Sequence, residues 1–420
     1  MSLRPGAVVT LTVEKAVAGG RMLARHHGQV VLVAGAIPGE VVAARVERSG
    51  KGVAQAEVST VLEPSPDRRP CRDARCGGNV LAHVAYPRQL RLKGEVILDA
   101  LARVGRIRLD APPPVAPSPE QGYRLRARLH VSGARIGFYR EGTHEICPVD
   151  VTGQLSGAAE DWVAHAARVL ARDRLAGLAA IEMGETVAGD RRVAHLVLEP
   201  GGRPQDFAGL AEGLAGMSAQ VADGPASIVR GETTLVDTIA SGDGRTVVTL
   251  RRDVRAFFQG NRFLVAPLVH EVLSRLPPGP LVDLYAGVGL FGLAHAASTE
   301  APVVLVEGDP TSGADLAHNA AAAGNRVSVV RHSVEAWLAA PTVAAANAVI
   351  DPPRTGLSKA AVAGLLALRP ATLVYVSCDP ATFARDARAL VDGGYTLSAL
   401  VGVDLFPNTA HVEAVATFSR

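Results

Sequence analysis

PLVDLYAGVGLFGLAHA, residues Pro280–Ala296, is the stretch that decides the fold of this 420-residue chain. An apolar run ends near the acid Asp283, two glycines follow at Gly287 and Gly289, and a second apolar segment has helical length. Strand, glycine turn and helix in that order make the first unit of an open, parallel, doubly wound sheet. Glycine carries no Cβ, so such a turn lets the backbone approach a ligand closely. Downstream, PVVLVEGDP reads as a second strand ending at Glu307, AANAVIDPPRTG as a third ending at Asp351, and ATLVYVSCDP as a fourth ending at Cys378. In sheets of this kind ligands bind outside the carboxyl ends of the strands, and all four polar landmarks fall there.

Each landmark has a chemical use. Glu307, about twenty residues beyond the glycine turn, is placed to accept hydrogen bonds from a ribose diol. Asp351 precedes a rigid Pro352-Pro353 pair and can accept from a ring N–H or an ammonium group. The chain has no P-loop lysine motif, which disfavours phosphoryl transfer and leaves adenosyl binding as the fit. Cys378 reads either as buried packing or as a nucleophile at the ligand side of the sheet. Near the C-terminus, DLFPNTAHVEAV adds His411 and Glu413 just before the last apolar strand, and a thiolate beside a carboxylate supplies a nucleophile and a proton acceptor.

Outside this region the chain changes character. Residues 6 to about 61 form short β-branched runs (Ala7–Val13, Gln29–Val33, Glu40–Val46, Ala54–Val61) separated by glycine turns, the spacing of a five-stranded OB-type barrel. A proline linker at 63–66 follows. Residues 67–250 mix strand-like runs (Arg124–Val131, Arg192–Leu198) with helical patterns at Pro87–Val104 and Ala158–Asp173, and are divided by the proline-rich APPPVAPSPE at 111–120. The expected division is therefore a barrel at 1–62, a mixed α+β centre at 67–250 and an α/β domain at 251–420.

Charge is uneven. Residues 1–150 hold 22 basic against 14 acidic side chains, a net of +8, and the remainder holds 21 against 27, a net of −6. A basic front half suggests contact with an anionic polymer such as nucleic acid. Apolar residues make up 48% and charged ones 20%, the balance of a globular chain. No apolar run is long enough for a bilayer and the start Met1–Gly6 lacks a secretory core, so a cytoplasmic enzyme without membrane contact is expected. Four cysteines in such a chain do not suggest a disulfide framework, and each is read as a reduced thiol.

Taken together, FFQGN (257–261), DLYAGVG (283–289), DPPRTG (351–356), YVSCDP (375–380) and DLFPNTAHVE (404–413) resemble the S-adenosylmethionine-dependent RNA uridine-5-methyltransferase family, in the family's order. The barrel is similar to the TRAM domain carried by many of its members, particularly those acting on ribosomal RNA. YRLRAR (123–128) and GFYREGTHEI (137–146) are similar to the family's middle region. The resemblance implies a Rossmann-like class I methyltransferase domain and an RNA substrate, 23S ribosomal RNA before transfer RNA, handled by a monomer. It implies Cys378 as the nucleophile adding to carbon 6 of uracil and Glu413 as the base at carbon 5. It also implies Gln259, Tyr285, Glu307 and Asp351 as contacts of S-adenosylmethionine, with Gly287 and Gly289 shaping its turn. Leu290 stands where the family usually has Asn.

Relatives with an iron–sulfur cluster carry a run of three cysteines and a fourth further on. Here CRDARCGGN (71–79) puts Asn79 at the third position, and Thr152 falls at the fourth, five residues after Cys147. Clusters of this kind usually require four thiolates, so no cluster is expected. Three rival readings remain: a nucleic acid cytosine-5-methyltransferase, an RNA-binding protein with a non-catalytic methyltransferase fold, and a dinucleotide oxidoreductase. The first commonly places its cysteine one strand earlier, after a proline. The other two leave Cys378 and Glu413 without a role.

Overall fold

The computed structural model describes residues 3–240 and 247–420. The first five strands, β1 (Val8–Ala16), β2 (Met22–His26), β3 (Gln29–Ala34), β4 (Val41–Ser49) and β5 (Val53–Glu63), close into a barrel in the order β1-β2-β3-β5-β4. Alternation drives it: Val42, Ala44 and Val46 point into the barrel while Arg45 points out. Closure removes free strand edges. The barrel core is completed from outside by Leu81, Val84 and Leu92, so this unit is tied to the segment after it.

That segment leads into helix α1 (Tyr86–Ala100), which starts with a proline in its first turn and runs on through a π-helical turn at Leu101–Gly105. Ile97 and Leu101 enter the core of the C-terminal sheet, and the short strand β6 (Val115–Ala116) adds to that sheet's edge. The central region then builds a seven-stranded sheet from β7 (Arg126–Ser132), β8 (Arg135–Tyr139), β9 (Ile146–Pro148), β10 (Leu178–Glu185), β11 (Arg192–Leu198), β12 (Gly216–Val221) and β13 (Ser227–Gly231), in the order β13-β12-β11-β10-β7-β8-β9. Helix α2 (Gly157–Arg172) covers one face. Ser156 Oγ caps it by accepting from the Ala159 N–H at 3.1 Å, and Trp162, Val163, Ala166 and Leu170 recur at helical spacing towards the sheet.

A hairpin, β14 (Thr234–Ala240) with β15 (Val247–Asp253), joins this sheet to the last domain. Its buried Arg252 donates to Asp237 Oδ2 at 2.8 Å and to the Glu185 carbonyl at 2.5 Å, and its guanidinium lies over the Phe258 ring. This fixes the 254–261 segment. After α3 (Val265–Leu273) come β16 (Leu281–Leu284), α4 (Leu290–Ser298), β17 (Val303–Val306), α5 (Pro310–Ala320), β18 (Val327–Val330), α6 (Val334–Ala339), β19 (Asn347–Ile350), α7 (Lys359–Leu368), β20 (Thr372–Ser377), α8 (Pro380–Asp392), β21 (Thr396–Val403) and β22 (Glu413–Ser419). The sheet order is β18-β17-β16-β19-β20-β22-β21-β6, parallel from β18 to β20 and antiparallel across β22. Strand order reverses between β16 and β19, which opens the crevice where such sheets take their ligands. The expected doubly wound sheet and the five-stranded barrel are both present.

One expectation is overturned. Cys76 and Cys147 are not reduced thiols but form a disulfide, leaving Cys71 and Cys378 free. The cysteine-bearing loop meets the end of β8, where Cys76 forms a β-bridge with Arg140 and the Gly77 N–H donates to the Tyr139 carbonyl at 3.0 Å. Cys147 sits on β9, opposite Phe138 of β8. Two fully buried sulfurs are thereby brought face to face across 71 residues. Asn79 donates to the Val151 carbonyl, tying the cysteine loop to the turn after β9, and Thr152 donates to the Val149 carbonyl within that turn. Among the described residues no group of three or more metal-ligating side chains is gathered, and no helix is long and apolar enough to cross a membrane.

Candidate active site

The crevice at the strand reversal is shaped by the turn after β16. Tyr285 (φ 61°), Gly287 (φ 56°) and Gly289 (φ 99°) all take left-handed backbone. At Gly289 glycine is required twice over, since a Cβ would also lie 2.5 Å from a Leu293 methyl. The Gly287 N–H donates to Glu307 Oε2 at 2.8 Å, so the carboxylate at the end of β17 holds the turn at the end of β16. Glu307 also accepts from the Asp309 N–H at 2.6 Å. Leu290 is buried at the first position of α4. Asp283 lies beneath, with Oδ2 accepting from the Gly292 N–H at 2.8 Å and Oδ1 without a partner.

Across the crevice, Asp351 ends β19 and accepts from Gln259 Nε2 at 3.0 Å, which joins the FFQGN segment to the DPPRTG turn. The Asp283, Glu307, Asp351 and Glu413 carboxyls form no salt bridge among the described residues. Burial, with no cation set against it, raises three of them: Glu307 lies above the usual carboxylate range, Asp351 is pushed up to about 7 and Asp283 to about 8. This is a pocket of uncompensated acid groups suited to a cationic ligand.

Cys378 follows β20, and Glu413 opens β22. The antiparallel ladder ends with Ser377 paired to Ala414, so the next residue of each segment, Cys378 and Glu413, lie near enough for the Glu413 carboxyl to act on the thiol. A sequence separation of 35 residues thus becomes a neighbour relation. Burial pushes the Cys378 thiol up to about 11, helped by the Glu413 and Asp351 carboxylates and opposed by the Arg354 guanidinium. Burial first, then Asp351, holds Glu413 well above its ordinary value, again against Arg354. His411 is driven down to about 4 by burial and by Arg354, Lys93 and Arg124 around it.

Tyr285, Gly287, Glu307 and Asp351 lie just beyond the carboxyl ends of β16, β17 and β19, and Gln259 is joined to them by its hydrogen bond to Asp351. Gly289 and Leu290 start α4, with Leu290 packed in the core, while Cys378 follows β20 and Glu413 opens β22. Sequence reading assigned no role to Arg354 or Arg124. Arg354 lies within the quoted DPPRTG motif, three residues after the strand-end Asp351, and that was the available signal; its nearness to Cys378 comes from the fold. Arg124 begins an alternation in YRLRARLH that places Arg124, Arg126, Arg128 and His130 on the opposite face from buried Leu125, Ala127 and Leu129. Arg124 lies over the Phe406 ring and, through the Arg124–Asn261 bridge, beside the Gln259 segment.

Comparison with known proteins agrees with this geometry. Residues 245–420 match the tRNA (uracil-5-)-methyltransferase family model and residues 3–59 the TRAM domain. The 23S rRNA (uracil(1939)-C(5))-methyltransferase RlmD of Pseudomonas putida is 32% identical over 97% of this chain and 93% of its own length. The protein of the same name from Azoarcus sp. is 32% identical over 96% and 97% respectively. Among solved structures, the Pyrococcus abyssi tRNA (uracil-54, C5)-methyltransferase in complex with S-adenosyl-L-homocysteine superposes with a TM-score of 0.76, covering 97% of this chain and 99% of that one at 24% identity, and so shares the fold. The strand-end acids, the cysteine near a glutamate and full-length similarity to these relatives converge: the chain belongs to the RNA uracil-5-methyltransferase family.

Proposed function

We propose that this enzyme methylates carbon 5 of one uridine in RNA, with 23S ribosomal RNA as the favoured substrate, through a covalent adduct between Cys378 and carbon 6. What supports the reading is the nearness of Cys378, just after β20, to Glu413, at the start of β22, beside the strand-end acids. Carbon 5 of uracil is a weak nucleophile. Addition of the Cys378 thiolate to carbon 6, its proton having passed to solvent, moves electron density through the ring to carbon 5 and oxygen 4. When bound, S-adenosylmethionine would supply the electrophilic sulfonium methyl group to carbon 5, the C–S bond breaking to leave neutral S-adenosylhomocysteine. Glu413 then removes the proton from carbon 5, the carbon 5–carbon 6 double bond re-forms, and the Cys378 sulfur leaves as thiolate.

The pocket fits that cofactor. Asp351 and Gln259 would hold its polar end, Glu307 its ribose, and Tyr285, Gly287, Gly289 and Leu290 its adenosyl side. The cationic ligand supplies the charge that the buried carboxyls lack. For RNA, exposed Arg128 on β7 and the basic front half offer a cationic approach to the crevice, and the target base must be unstacked to enter. The length-wide similarity to RlmD proteins and the TRAM-type barrel favour ribosomal RNA. RNA bearing 5-fluorouridine should trap an SDS-resistant adduct with the wild-type enzyme, because fluorine cannot leave as a proton. Continued methylation by Cys378→Ala would overturn the mechanism, and mapping 5-methyluridine in a deletion strain identifies the RNA.

A further inference from the structure

We propose that Lys93, on helix α1, is a positioning residue for proton removal at carbon 5, acting through a buried ion pair with Asp404. The proposal deepens the reading above and rests on its assignment of Glu413 as the base. Lys93 is remote from the crevice motifs in sequence, 311 residues before its partner.

Glu413 is delivered by the segment 404–412 between β21 and β22, which has no regular hydrogen-bonded structure of its own. Such a segment holds one conformation only if other parts of the chain satisfy its polar groups. Here they do so from several sides. Lys93 Nζ donates to Asp404 Oδ1 at 2.5 Å and to the Phe406 carbonyl at 3.1 Å. Gln89, one helical turn earlier, reads Asn408 twice, accepting from its backbone N–H at 3.0 Å and donating to its Oδ1 at 2.9 Å. Arg69 donates to the same Oδ1 at 2.8 Å, and the Leu81 N–H donates to the Asn408 carbonyl at 2.9 Å. From the crevice side, Asn261 donates to the Leu405 carbonyl at 3.0 Å.

Within this brace the Lys93–Asp404 pair is set apart by burial. The two side chains are 3% and 0% exposed, so the pair is desolvated on both sides. A buried pair of this sort is weak evidence for stability, because an apolar pair of similar size would serve as well, and its best-attested use is to specify one geometry. Burial lowers the Lys93 ammonium, and the Asp404 charge opposes it. Asn408, at φ 65°, turns the backbone in the left-handed region just past the brace. From there five residues lead to Glu413 and Cys378. Asp404 directly follows Val403, the residue of β21 that pairs with Glu413, so loosening Asp404 frees the Glu413 end of β22 relative to the substrate proton, while Cys378 follows β20 on a different segment.

The loss should appear at one step. The Cys378–carbon 6 bond forms as before, the methyl group is accepted, and the adduct then waits for its carbon 5 proton to leave. The test uses full-length Lys93→Met, which leaves Asp404 unpaired, and Lys93→Met/Asp404→Asn, which removes both charges and restores a folded, uncharged contact. With native uridine RNA and S-adenosylmethionine, both should lower kcat by about 10–100-fold, the range for a base displaced by a fraction of a bond length to 1 Å. KM for RNA should stay within about twofold, as expected when only a later step is damaged. An SDS-resistant protein–RNA adduct should accumulate in the steady state, and 5-deuterated uridine should give a larger isotope effect than with wild type. Neither signal is expected from a merely destabilised protein. A double variant that melts as wild type does yet shows neither adduct nor isotope effect overturns the role of Lys93. Glu413→Gln serves as reference: if it too forms no adduct, the assignment of the base fails and this proposal falls with it.

Discussion

Cys378 in the unliganded enzyme should behave as a suppressed thiol, and its alkylation by iodoacetamide against pH measures that directly. The suppression comes first from burial, then from the Glu413 carboxylate, with Arg354 pulling the other way. With the thiol held up to about 11, the thiolate fraction at pH 7 is about one in ten thousand, against about 3% for an ordinary cysteine. That is a deficit of about 300-fold in reactive species. A more basic thiolate is intrinsically the better nucleophile, by roughly tenfold for this difference, so the net deficit is about 20- to 30-fold. The experiment needs a Cys71→Ser background, because Cys76 and Cys147 are occupied in their disulfide. Mass spectrometry of the Cys378 peptide should give a rate rising about tenfold per pH unit from 7 to 10 without levelling. S-adenosylmethionine should move the profile to lower pH, since it brings positive charge to the carboxyls that oppose ionisation. S-adenosylhomocysteine, which lacks the sulfonium charge, should move it less. A rate that levels off below pH 9 would refute the electrostatic account. It would mean that Arg354 outweighs burial and both acids.

The same electrostatics set the cofactor's pH dependence. Asp351 is pushed up to about 7, and a cationic ligand prefers the ionised form. The affinity for S-adenosylmethionine should therefore rise with pH by up to about tenfold per unit below that value and flatten above it. Calorimetry at pH 6, 7 and 8 checks this, and a flat profile for wild type contradicts it. Reducing the Cys76–Cys147 bridge, or replacing both residues by Ser, reopens a 71-residue loop; loop-closure entropy puts the loss at about 4 kcal/mol at most, read as a lower denaturation midpoint. Arg128, exposed on the outward row of β7, should contribute through phosphate contact. Arg128→Ala should weaken RNA binding evenly across sequences and reduce the salt slope by about 1, and an unchanged slope would remove Arg128 from the RNA path.

The crevice was legible in the sequence because buried parallel strands are written as continuous apolar runs. A polar residue ending each run is then an address at the sheet's carboxyl rim. Asp283, Glu307, Asp351 and Cys378 could be found that way, and so could the barrel, whose strands alternate around glycine turns. Glu413 was legible as an ionisable residue just before the last apolar strand, but its nearness to Cys378 was not, since nothing local says that β22 runs antiparallel beside β20. Helix α1 was visible as a pattern, but not its penetration into the core of a sheet that begins about 180 residues later.

What the sequence by itself determined is local: the strands, the turns, the conformations only glycine can hold, and the chemical identity of each group on the rim. Pairing was left to the tertiary structure. The Gln259–Asp351 hydrogen bond, the Cys76–Cys147 bridge and the Lys93–Asp404 ion pair join residues 92, 71 and 311 positions apart. The physical reason is that periodicity reports which face a residue takes, whereas a partner is chosen by sheet register and by the cost of leaving a buried polar group unmatched. A reading of separate thiols could not anticipate that the cysteine loop would meet the end of β8, where two buried sulfurs come together. Nor could any strand pattern set the protonation of Cys378, which depends on Glu413 and Arg354 arriving from other segments of the fold.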